Sequence, residues 1–380
     1  MSWKEVDTVS LRLEFVELAL KKDSNISELC RRFGVSRNTG HKWIKRFEEE
    51  GADGLTDRSR RPKSSPTASS ETIVKEALKI RDKHPTWGAR KIHRRLHDLE
   101  VKDVPAVSTI NSILKRNGCI SEEASKRSRT FTRFEYDEPN DLWQMDFKGH
   151  FAMTNGKRCH PLTILDDHSR YSIALRAMDT EKRIPVQNEL TRVFRRFGLP
   201  AAMLMDNGPP WGTSQKDGHT QLEIWLMMLG IRVIHSRPRH PQTNGKDERF
   251  HRTLKYDLVQ GETFADLKAT QDKFNPFRRC YNHERPHEAL GMDVPASRYT
   301  QSTRSFPEEI PEWDYGDAIT RRVGSSNCVT FRKHRFKIGK GFRGQDVAIR
   351  PTSEADVFHV YFRNSHVKTI TLNETSAHVE

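Results

Sequence analysis

The sequence predicts a multidomain protein with a helical amino-terminal third, a central α/β domain and an all-β carboxy-terminal module. The chain has 380 residues, which is too long for one ordinary domain and fits two to four. Apolar residues repeat at helical spacing up to about residue 118, and from Leu142 the pattern changes to short β-prone runs separated by turns. From about Trp313, short alternating runs follow one another and predict a strand-only module.

Charge and composition limit the partners. The formal net charge of +14 predicts an anionic partner, with nucleic acid ahead of a membrane surface. No apolar stretch approaches the roughly 20 residues that span a bilayer, and the first residues lack the apolar core of a signal peptide. We therefore expect no membrane association and a cytoplasmic, nucleoid-associated protein. Five scattered cysteines argue against a disulfide framework and against a cysteine-based zinc site.

Residues 1–55 are predicted to form a helix-turn-helix domain that binds DNA. The apolar residues Leu11, Phe15, Leu18 and Ala19 repeat at helical spacing, which predicts a first helix with one apolar stripe. Residues 26–33 predict a second helix, and the turn Gly34-Val-Ser leads into a third. On that third helix, Trp43 is placed to pack inward while polar side chains face outward, as in a helix that enters a major groove. A small helical bundle with a solvated basic face is the alternative. The candidate DNA contacts are Arg37, Asn38, His41, Lys42 and Lys45.

Two basic connectors flank a second helical unit. Residues 56–70 are rich in proline, serine and positive charge and predict a linker, in which Arg58, Arg60 and Arg61 are candidate DNA contacts or simply solvated charges. Residues 71–118 predict a second helix-turn-helix-like DNA-binding domain, and 119–140 a second basic connector. Two such units would recognise a longer DNA site than one.

The central domain, residues 141–300, is predicted to be a mixed sheet flanked by helices. Three consecutive antiparallel strands come first, followed by a helix, a fourth strand that ends at Asp206, a second helix and a short strand. The predicted strands are 143–147, 162–165, 171–177, 201–205 and 231–234, and the predicted helices are 184–197 and 222–229.

Three acidic residues of this domain lie inside distinctive sequence motifs. They are Asp146 in Trp143-Gln-Met-Asp-Phe, Asp206 in Asp206-Asn-Gly-Pro-Pro, and Glu248 in Asn244-Gly-Lys-Asp-Glu-Arg-Phe. Hard divalent ions are held by a few protein carboxylates together with substrate phosphates. The three motifs together therefore indicate a two-metal phosphoryl-transfer site.

All three motifs resemble those of bacterial insertion-sequence transposases of the integrase-like DDE superfamily, which are relatives of retroviral integrases. The resemblance implies a ribonuclease-H-like fold, with Asp146 on the first strand, Asp206 at the end of the fourth and Glu248 on a helix. It also implies that these residues are the catalytic ligands of two Mg²⁺ or Mn²⁺ ions, with no ATP and no zinc. The implied reaction is cleavage of double-stranded DNA at the 3′ ends of an element, bounded by terminal inverted repeats, and their joining to target DNA. A homodimer or larger homo-oligomer on DNA is implied as well.

The helix that carries Glu248 is predicted to have two faces. Phe250, Leu254 and Leu258 fall four apart and form the packed face, whereas Arg252 and Lys255 share the face of Glu248 and are candidate DNA contacts. An ordinary exposed ladder of opposite charges is the alternative for this second face. Asn207 and Asn244 are weaker candidates for shaping the site.

Three other sequence patterns and one alternative function compete with this interpretation. His283-Glu-Arg-Pro-His matches the His-Glu-x-x-His motif of zinc proteases. Its proline, however, would break the helix that brings both histidines to one metal. Gly339-Lys-Gly-Phe-Arg-Gly precedes a strand-like run rather than the helix of a dinucleotide site. Asp166 and Asp167 fit a turn at a strand end better than extra metal ligands. A helix-turn-helix regulator that binds DNA without cutting it is the alternative function.

Residues 301–380 predict a small β-barrel of about five strands. Basic residues between 332 and 337 interleave with Phe331 and Phe336, as in small barrels that contact nucleic-acid backbones. A barrel that serves dimerisation is an equal alternative. The predicted strands are 328–331, 335–338, 347–350, 357–362 and 367–372.

Overall fold

The computed structural model describes residues 7–58, 69–120, 135–212, 218–235 and 245–372. The chain divides into two compact units, Met1–Ala68 and Ser69–Glu380. Within the described ranges, no helix combines the length and the apolar character needed to cross a membrane.

The first unit is a helix-turn-helix of three helices. They are α1 (Thr8–Ala19), α2 (Ile26–Arg32) and α3 (Arg37–Glu50), followed by a short 3₁₀ turn at Gly51–Leu55. The side-chain oxygens of Asn25 and Ser36 accept hydrogen bonds from backbone N–H groups in the first turns of α2 and α3, which fixes where both helices begin.

The core of this unit differs from the sequence prediction in one helix. Phe15, Val16 and Trp43 are buried, but Leu11, which was predicted on the packed stripe of α1, is 42% exposed. The stripe prediction was wrong at this residue because α1 turns its Val16 side toward α2 and α3. At Gly40, an added Cβ would lie 2.6 Å from Cys30 Sγ, so this glycine allows α3 to approach α2 closely.

The second unit begins with a three-helix bundle, α4 (Glu71–Lys83), α5 (Ala89–Asp98) and α6 (Val107–Arg116). Ile73, Ala77 and Ile80 of α4 are buried, as their spacing predicts. Polar contacts attach the bundle to the central domain: Arg95 pairs with Glu284 at 3.1 Å.

The central domain contains a mixed six-stranded sheet, which confirms the predicted α/β class. Its strands are β1 (Leu142–Phe147), β2 (Phe151–Ala152), β3 (Arg158–Asp166), β4 (Ser172–Met178), β5 (Ala202–Met205) and β6 (Arg232–His235). The order is β2-β3-β1-β5-β6, with β4 paired to β3. β1 is antiparallel to β3 and parallel to β5. The two-residue strand β2 was not predicted, so Asp206 follows the fifth strand rather than the fourth.

Four helices cover this sheet. They are α7 (Arg183–Phe197), α8 (Gln221–Met228), α9 (Gly245–Leu254) and α10 (Leu267–His283). Phe194 of α7 belongs to the core on one side of the sheet, together with Trp143. Phe250 of α9 and Phe274 of α10 belong to a second core with Leu165 and Leu175. Because helices pack on both faces, most sheet residues are buried.

The carboxy-terminal module consists of two antiparallel sheets. Strands β7 (Ile319–Arg322), β10 (Asp346–Pro351), β11 (Val357–Phe362) and β12 (Ser365–Thr371) form one, and β8 (Cys328–Phe331) and β9 (His334–Lys337) form the other. All five predicted strands are present, and β7 was missed. A closed barrel stays a prediction. The module's core includes Ile224 and Met227 of α8, so this sheet pair packs on the central domain.

Candidate metal-dependent active site

Asp146 and Asp206 meet at one edge of the sheet because of strand order. β1 and β5 are parallel neighbours, with Gln144 opposite Leu204. Asp146 lies two residues beyond Gln144, and Asp206 lies two residues beyond Leu204, immediately after β5. The carboxyl ends of neighbouring parallel strands place their following side chains together. Two carboxylates 60 positions apart in sequence are thereby brought to the same edge.

Glu248 reaches this region on α9, whose first turn is fixed to the sheet. The Lys246 ammonium group pairs with the buried Asp167 carboxylate beyond the end of β3. Phe250 and Leu254 of the same helix are buried, whereas Glu248 is exposed. The ion pair and the apolar face set the rotation of α9, so that Glu248 lies on its open side.

The acidic groups influence one another electrostatically. The pKa of Asp146 is raised to about 7, first by burial and then by the negative charge of Asp206, with smaller contributions from Glu181 and Glu248. The backbone N–H of Phe147 donates to Asp146 Oδ1 at 2.8 Å and opposes this shift. A carboxylate that resists ionisation beside other carboxylates marks a place that favours a cation.

The segment after β5 is held by a histidine and a glutamate. Gly208 N–H donates to Asp206 Oδ1 at 2.9 Å. His235 Nδ1 lies 2.8 Å from the Asp206 carbonyl oxygen, and its Nε2 lies 2.7 Å from Glu223 Oε1. The hydrogen bond that His235 Nε2–H donates to Glu223 Oε1 is the main reason that the pKa of His235 is raised. These contacts fix the backbone that presents Asp206.

Two further residues of α9 join Asp146 and were missed in the sequence. Asp247 and His251 lie one turn apart on the inner side of the helix. Each of these two residues and Asp146 offers one possible ligand atom, and the three atoms lie within 4.8 Å of one another. Burial, and then Asp146, raise the pKa of Asp247 well above its ordinary value, and burial lowers the pKa of His251 to about 3. The sequence signal that could have identified them is their i, i+4 spacing, which places two metal-ligand side chains on the face of the helix that was predicted to pack against the core.

Family comparisons identify the central domain directly. The integrase core domain family matches residues 137–241 and a second integrase core domain family matches 229–295. Homeodomain-like and helix-turn-helix families match 39–114 and 11–63. The carboxy-terminal domain of IS481 family transposases matches 318–378.

Curated relatives are insertion-element proteins. The chain is 27% identical over 254 residues to an insertion element IS476 protein of Xanthomonas euvesicatoria, covering 64% of this chain and 69% of the relative. It is 28% identical over 229 residues to the transposase InsD of insertion element IS2 from Escherichia coli, covering 56% and 72%. These matches support an insertion-sequence transposase of the DDE type. The HTLV-2 integrase catalytic core domain in complex with magnesium aligns with 43% of this chain and 98% of its own, at 15% identity and a TM-score of 0.33.

The candidate DNA contacts of the transposase have different surroundings. Arg37, Asn38, His41, Lys42 and Lys45 are all exposed on α3. Lys45 lies 3.8 Å from Glu49, and Lys42 Nζ lies 4.8 Å from the Trp43 ring centroid. Arg58 forms an ion pair with Glu50. Arg60 and Arg61 lie outside the described residues.

On α9 and beyond, Arg252 and Lys255 are exposed on the same side as Glu248. Lys255 begins a π-helical turn, Lys255–Val259, that continues α9. Asn207 is exposed beside Asp206, whereas Asn244 lies outside the described residues. The two-faced helix predicted from the spacing is therefore present, with Asp247 and His251 added to the inner face.

The competing patterns have structural explanations. α10 ends at His283, so His283 and His287 do not share a helix. Asp166 accepts hydrogen bonds from Asn140 N–H and from the N–H and hydroxyl of Ser169, and Asp167 accepts from Gln144 Nε2. Both aspartates thus serve the turn that follows β3. β10 follows the glycine-rich segment, as the strand-like pattern predicts.

Proposed function

We propose that this transposase binds the terminal inverted repeats of its element, cleaves the DNA at the element's 3′ ends and joins those ends to target DNA. The proposal is supported by the strand ends that bring Asp146 and Asp206 together and by the raised pKa of Asp146, about 7, which is caused first by burial and then by the negative charge of Asp206, with smaller contributions from Glu181 and Glu248. A site with excess carboxylate charge is suited to divalent cations that bridge to phosphate.

Asp146, Asp206 and Glu248 would hold two Mg²⁺ or Mn²⁺ ions. Their donor atoms are all carboxylate oxygens, which hard divalent cations prefer. Such a pair of ions stabilises the entering and leaving oxygens of an in-line displacement at phosphorus.

The protein's own residues position these groups. Phe147 N–H and Gly208 N–H each donate to one carboxylate oxygen and orient Asp146 and Asp206. Lys246 fixes the helix that presents Glu248. Arg252 and Lys255 then offer positive charge to flanking DNA phosphates, and Asn207 and Asn244 shape the site. Water or a DNA 3′-hydroxyl serves as nucleophile, and ATP is not needed because one phosphodiester replaces another.

The remaining domains recognise and organise DNA. The exposed polar face of α3 contacts the bases of the repeats, and Arg58, Arg60 and Arg61 contact the phosphate backbone. The α4–α6 bundle adds a second contact region. Pairing two element ends requires at least a homodimer, and the carboxy-terminal sheets, closed into a small barrel, contact the DNA backbone or the second subunit.

A nicking assay tests this proposal. A labelled terminal-repeat duplex incubated with the native protein and Mg²⁺ should be cut at the 3′ end, and Glu248→Gln should bind the duplex without cutting it. Glu262→Gln, at an exposed glutamate that pairs with Lys273, is the matched control and should cut normally. Binding by the native protein without any nicking in Mg²⁺ or Mn²⁺ would instead favour a DNA-binding regulator.

A further inference from the structure

The inner face of α9 carries a compact group of metal-ligand side chains beside the proposed catalytic carboxylates. Asp247 and His251 are separated by four positions, so both project from the same side of the helix toward β1. With Asp146, their ligand atoms lie within 4.8 Å of one another. Asp247 is 1% exposed, and the neighbouring Thr163 on β3 is completely buried. Asp247 is therefore shielded from water by the sheet and the helix, whereas Asp146 and His251 are half-buried.

The hydrogen bonds around Asp247 are too few for a buried carboxylate. Thr163 Oγ1 lies 3.1 Å and 3.2 Å from the two Asp247 oxygens, 3.0 Å from the Asp146 carbonyl oxygen and 2.8 Å from His251 Nε2. A hydroxyl has only one hydrogen to donate. Whichever tautomer His251 adopts, Asp247 receives at most that single hydrogen bond from the described residues. A buried carboxylate with so little compensation needs a cation or a proton.

The electrostatic surroundings favour a cation. Asp206, Glu181 and Glu248 all act on Asp146 with negative charge. A second group of comparable size, His84, Cys280 and Glu284, makes an instructive contrast. There, Glu284 is already paired with Arg95 at 3.1 Å and Lys83 at 3.4 Å. Cationic side chains occupy that carboxylate, whereas Lys246, the residue before Asp247, is paired with Asp167 instead. His251 Nε2 lies 3.6 Å from Asp247 Oδ1, which is too far for a hydrogen bond.

We propose that Asp247 and His251, together with Asp146, form an additional binding site for a divalent transition-metal ion behind the catalytic carboxylates. An imidazole nitrogen combined with carboxylate oxygens suits Mn²⁺ or Zn²⁺ better than Mg²⁺, which prefers oxygen alone. Cation binding there neutralises Asp247 and holds the Asp146 carboxylate in place. The inference rests on the proposed function only in sharing Asp146 with the catalytic ions.

Mn²⁺ binding in the Glu248→Gln background isolates this site, because one proposed catalytic ligand is then missing while all three inner ligands remain. Electron paramagnetic resonance on the full-length protein without DNA should show one bound Mn²⁺ ion. Adding His251→Gln or Asp247→Asn should weaken its binding at least tenfold. His160→Gln is the matched control, because His160 lies on the same strand as Thr163 but contacts Glu181 at 2.8 Å. That variant should bind Mn²⁺ as its parent does.

A spectroscopic signature separates metal ligation from a structural effect. Electron spin echo envelope modulation of Mn²⁺ in Glu248→Gln should show coupling to an imidazole nitrogen that His160→Gln retains. Absence of that coupling, or unchanged Mn²⁺ binding after His251→Gln, overturns the inference. If the inner-face variants do not fold, as judged by circular dichroism, the nitrogen coupling in Glu248→Gln decides alone. The two proposals can be told apart. If the native protein nicks DNA with Mg²⁺ but its bound Mn²⁺ shows no nitrogen coupling, the proposed function is supported and the additional metal site is ruled out.

Discussion

Lys246, at the start of α9, places its ammonium group against the carboxylate of Asp167, which is 1% exposed behind the sheet. Two residues later, the same helix presents Glu248 on its open side. One buried ion pair thus fixes both the beginning and the rotation of the helix that completes the candidate site. The pair acts on Glu248 through the backbone, without touching DNA or a cation.

Replacing Lys246 with methionine should therefore reduce both stability and cleavage. Removing one partner leaves the Asp167 charge buried and unpaired, which costs roughly 3 kcal/mol. Urea denaturation measures that loss, and the nicking assay should show a larger fall in rate than in repeat affinity. Lys268→Met, at an exposed residue of α10, is the control and should change neither quantity. A Lys246→Met protein as stable as the native one would show that the pair does not anchor α9.

The ionised carboxylate of Asp146 should lower the stability of the folded protein, and the same carboxylate should be necessary for cleavage. Its pKa is raised from 3.8 to about 7, chiefly by burial and by Asp206. The folded state therefore binds this proton more tightly than the unfolded state, and stability falls as pH rises from about 4 to about 7. Without divalent ions, Asp146→Asn should become progressively more stable than the native protein across that range. The shift sets an upper limit of about 4 kcal/mol, which partial exposure to solvent reduces.

Thermal melts in EDTA at pH 4 to 8 measure this difference. Asp179→Asn, at an exposed position just after β4, is the control and should follow the native curve. The same Asp146→Asn protein should not nick DNA. An Asp146→Asn protein that is less stable than the native one at pH 8 would contradict the electrostatic description.

His235 should stabilise the segment that presents Asp206 in a pH-dependent way. Its pKa is raised, first by the hydrogen bond with Glu223 and also by the Asp206 carbonyl. A raised histidine pKa contributes stability that is fully present below the ordinary value of about 6.5 and is lost as pH rises through the folded-state pKa above it. Relative to the native protein, His235→Gln should be less stable by roughly 1.5 kcal/mol at pH 6, with a smaller deficit at alkaline pH.

A double-mutant cycle tests the assigned cause. Glu223→Gln should produce a similar loss at pH 6, and His235→Gln with Glu223→Gln should lose less than the two single changes added together. Denaturant titrations at pH 6 and pH 9 supply the four free energies of unfolding. Additive losses at pH 6 would assign the pKa shift of His235 to another group.

The sequence predicted the elements that present the three acids because local patterns determine them. The β-prone run around Asp146 and the apolar run before Asp206 are strands in the structure, and the four-residue spacing of Phe250 and Leu254 does mark the packed face of α9. Periodicity is a local property, and these elements are long enough to express it.

The parts that were missed depend on contacts between distant segments. β2 is only two residues long and exists because Phe151 pairs with Cys159 across a hairpin. Leu11 lost its predicted burial because Val16 faces the neighbouring helices instead. Asp247 was hidden within the packed face of α9, and only its contact with Thr163, 84 positions earlier, shows that this face is partly polar.

Arg252 and Lys255 should contribute salt-sensitive DNA affinity. Both are exposed on the side of α9 that carries Glu248. Removing one phosphate contact lowers the slope of log affinity against log salt concentration by about 0.9. Arg252→Ala and Lys255→Ala should each weaken terminal-repeat binding at low salt and reduce that slope, with little dependence on DNA sequence. Fluorescence anisotropy at several salt concentrations measures this, and Lys268→Ala should leave the slope unchanged. A sequence-dependent loss would instead indicate base contacts.

Gly40 should be required for the fold of the first helix-turn-helix. In Gly40→Ala, the new methyl group would lie 2.6 Å from Cys30 Sγ and 2.9 Å from Phe15 Cζ. Overpacking of a core costs about 1–3 kcal/mol, whereas alanine gains only about 1 kcal/mol over glycine in a helix interior. The substitution should therefore lower the melting temperature of residues 1–68 and weaken repeat binding. Asn38→Ala, at an exposed position of the same helix, separates the two effects, because it should weaken binding without lowering the melting temperature. If Gly40→Ala melts at or above the native temperature, α1 and α2 do not pack against α3 as closely as these distances require.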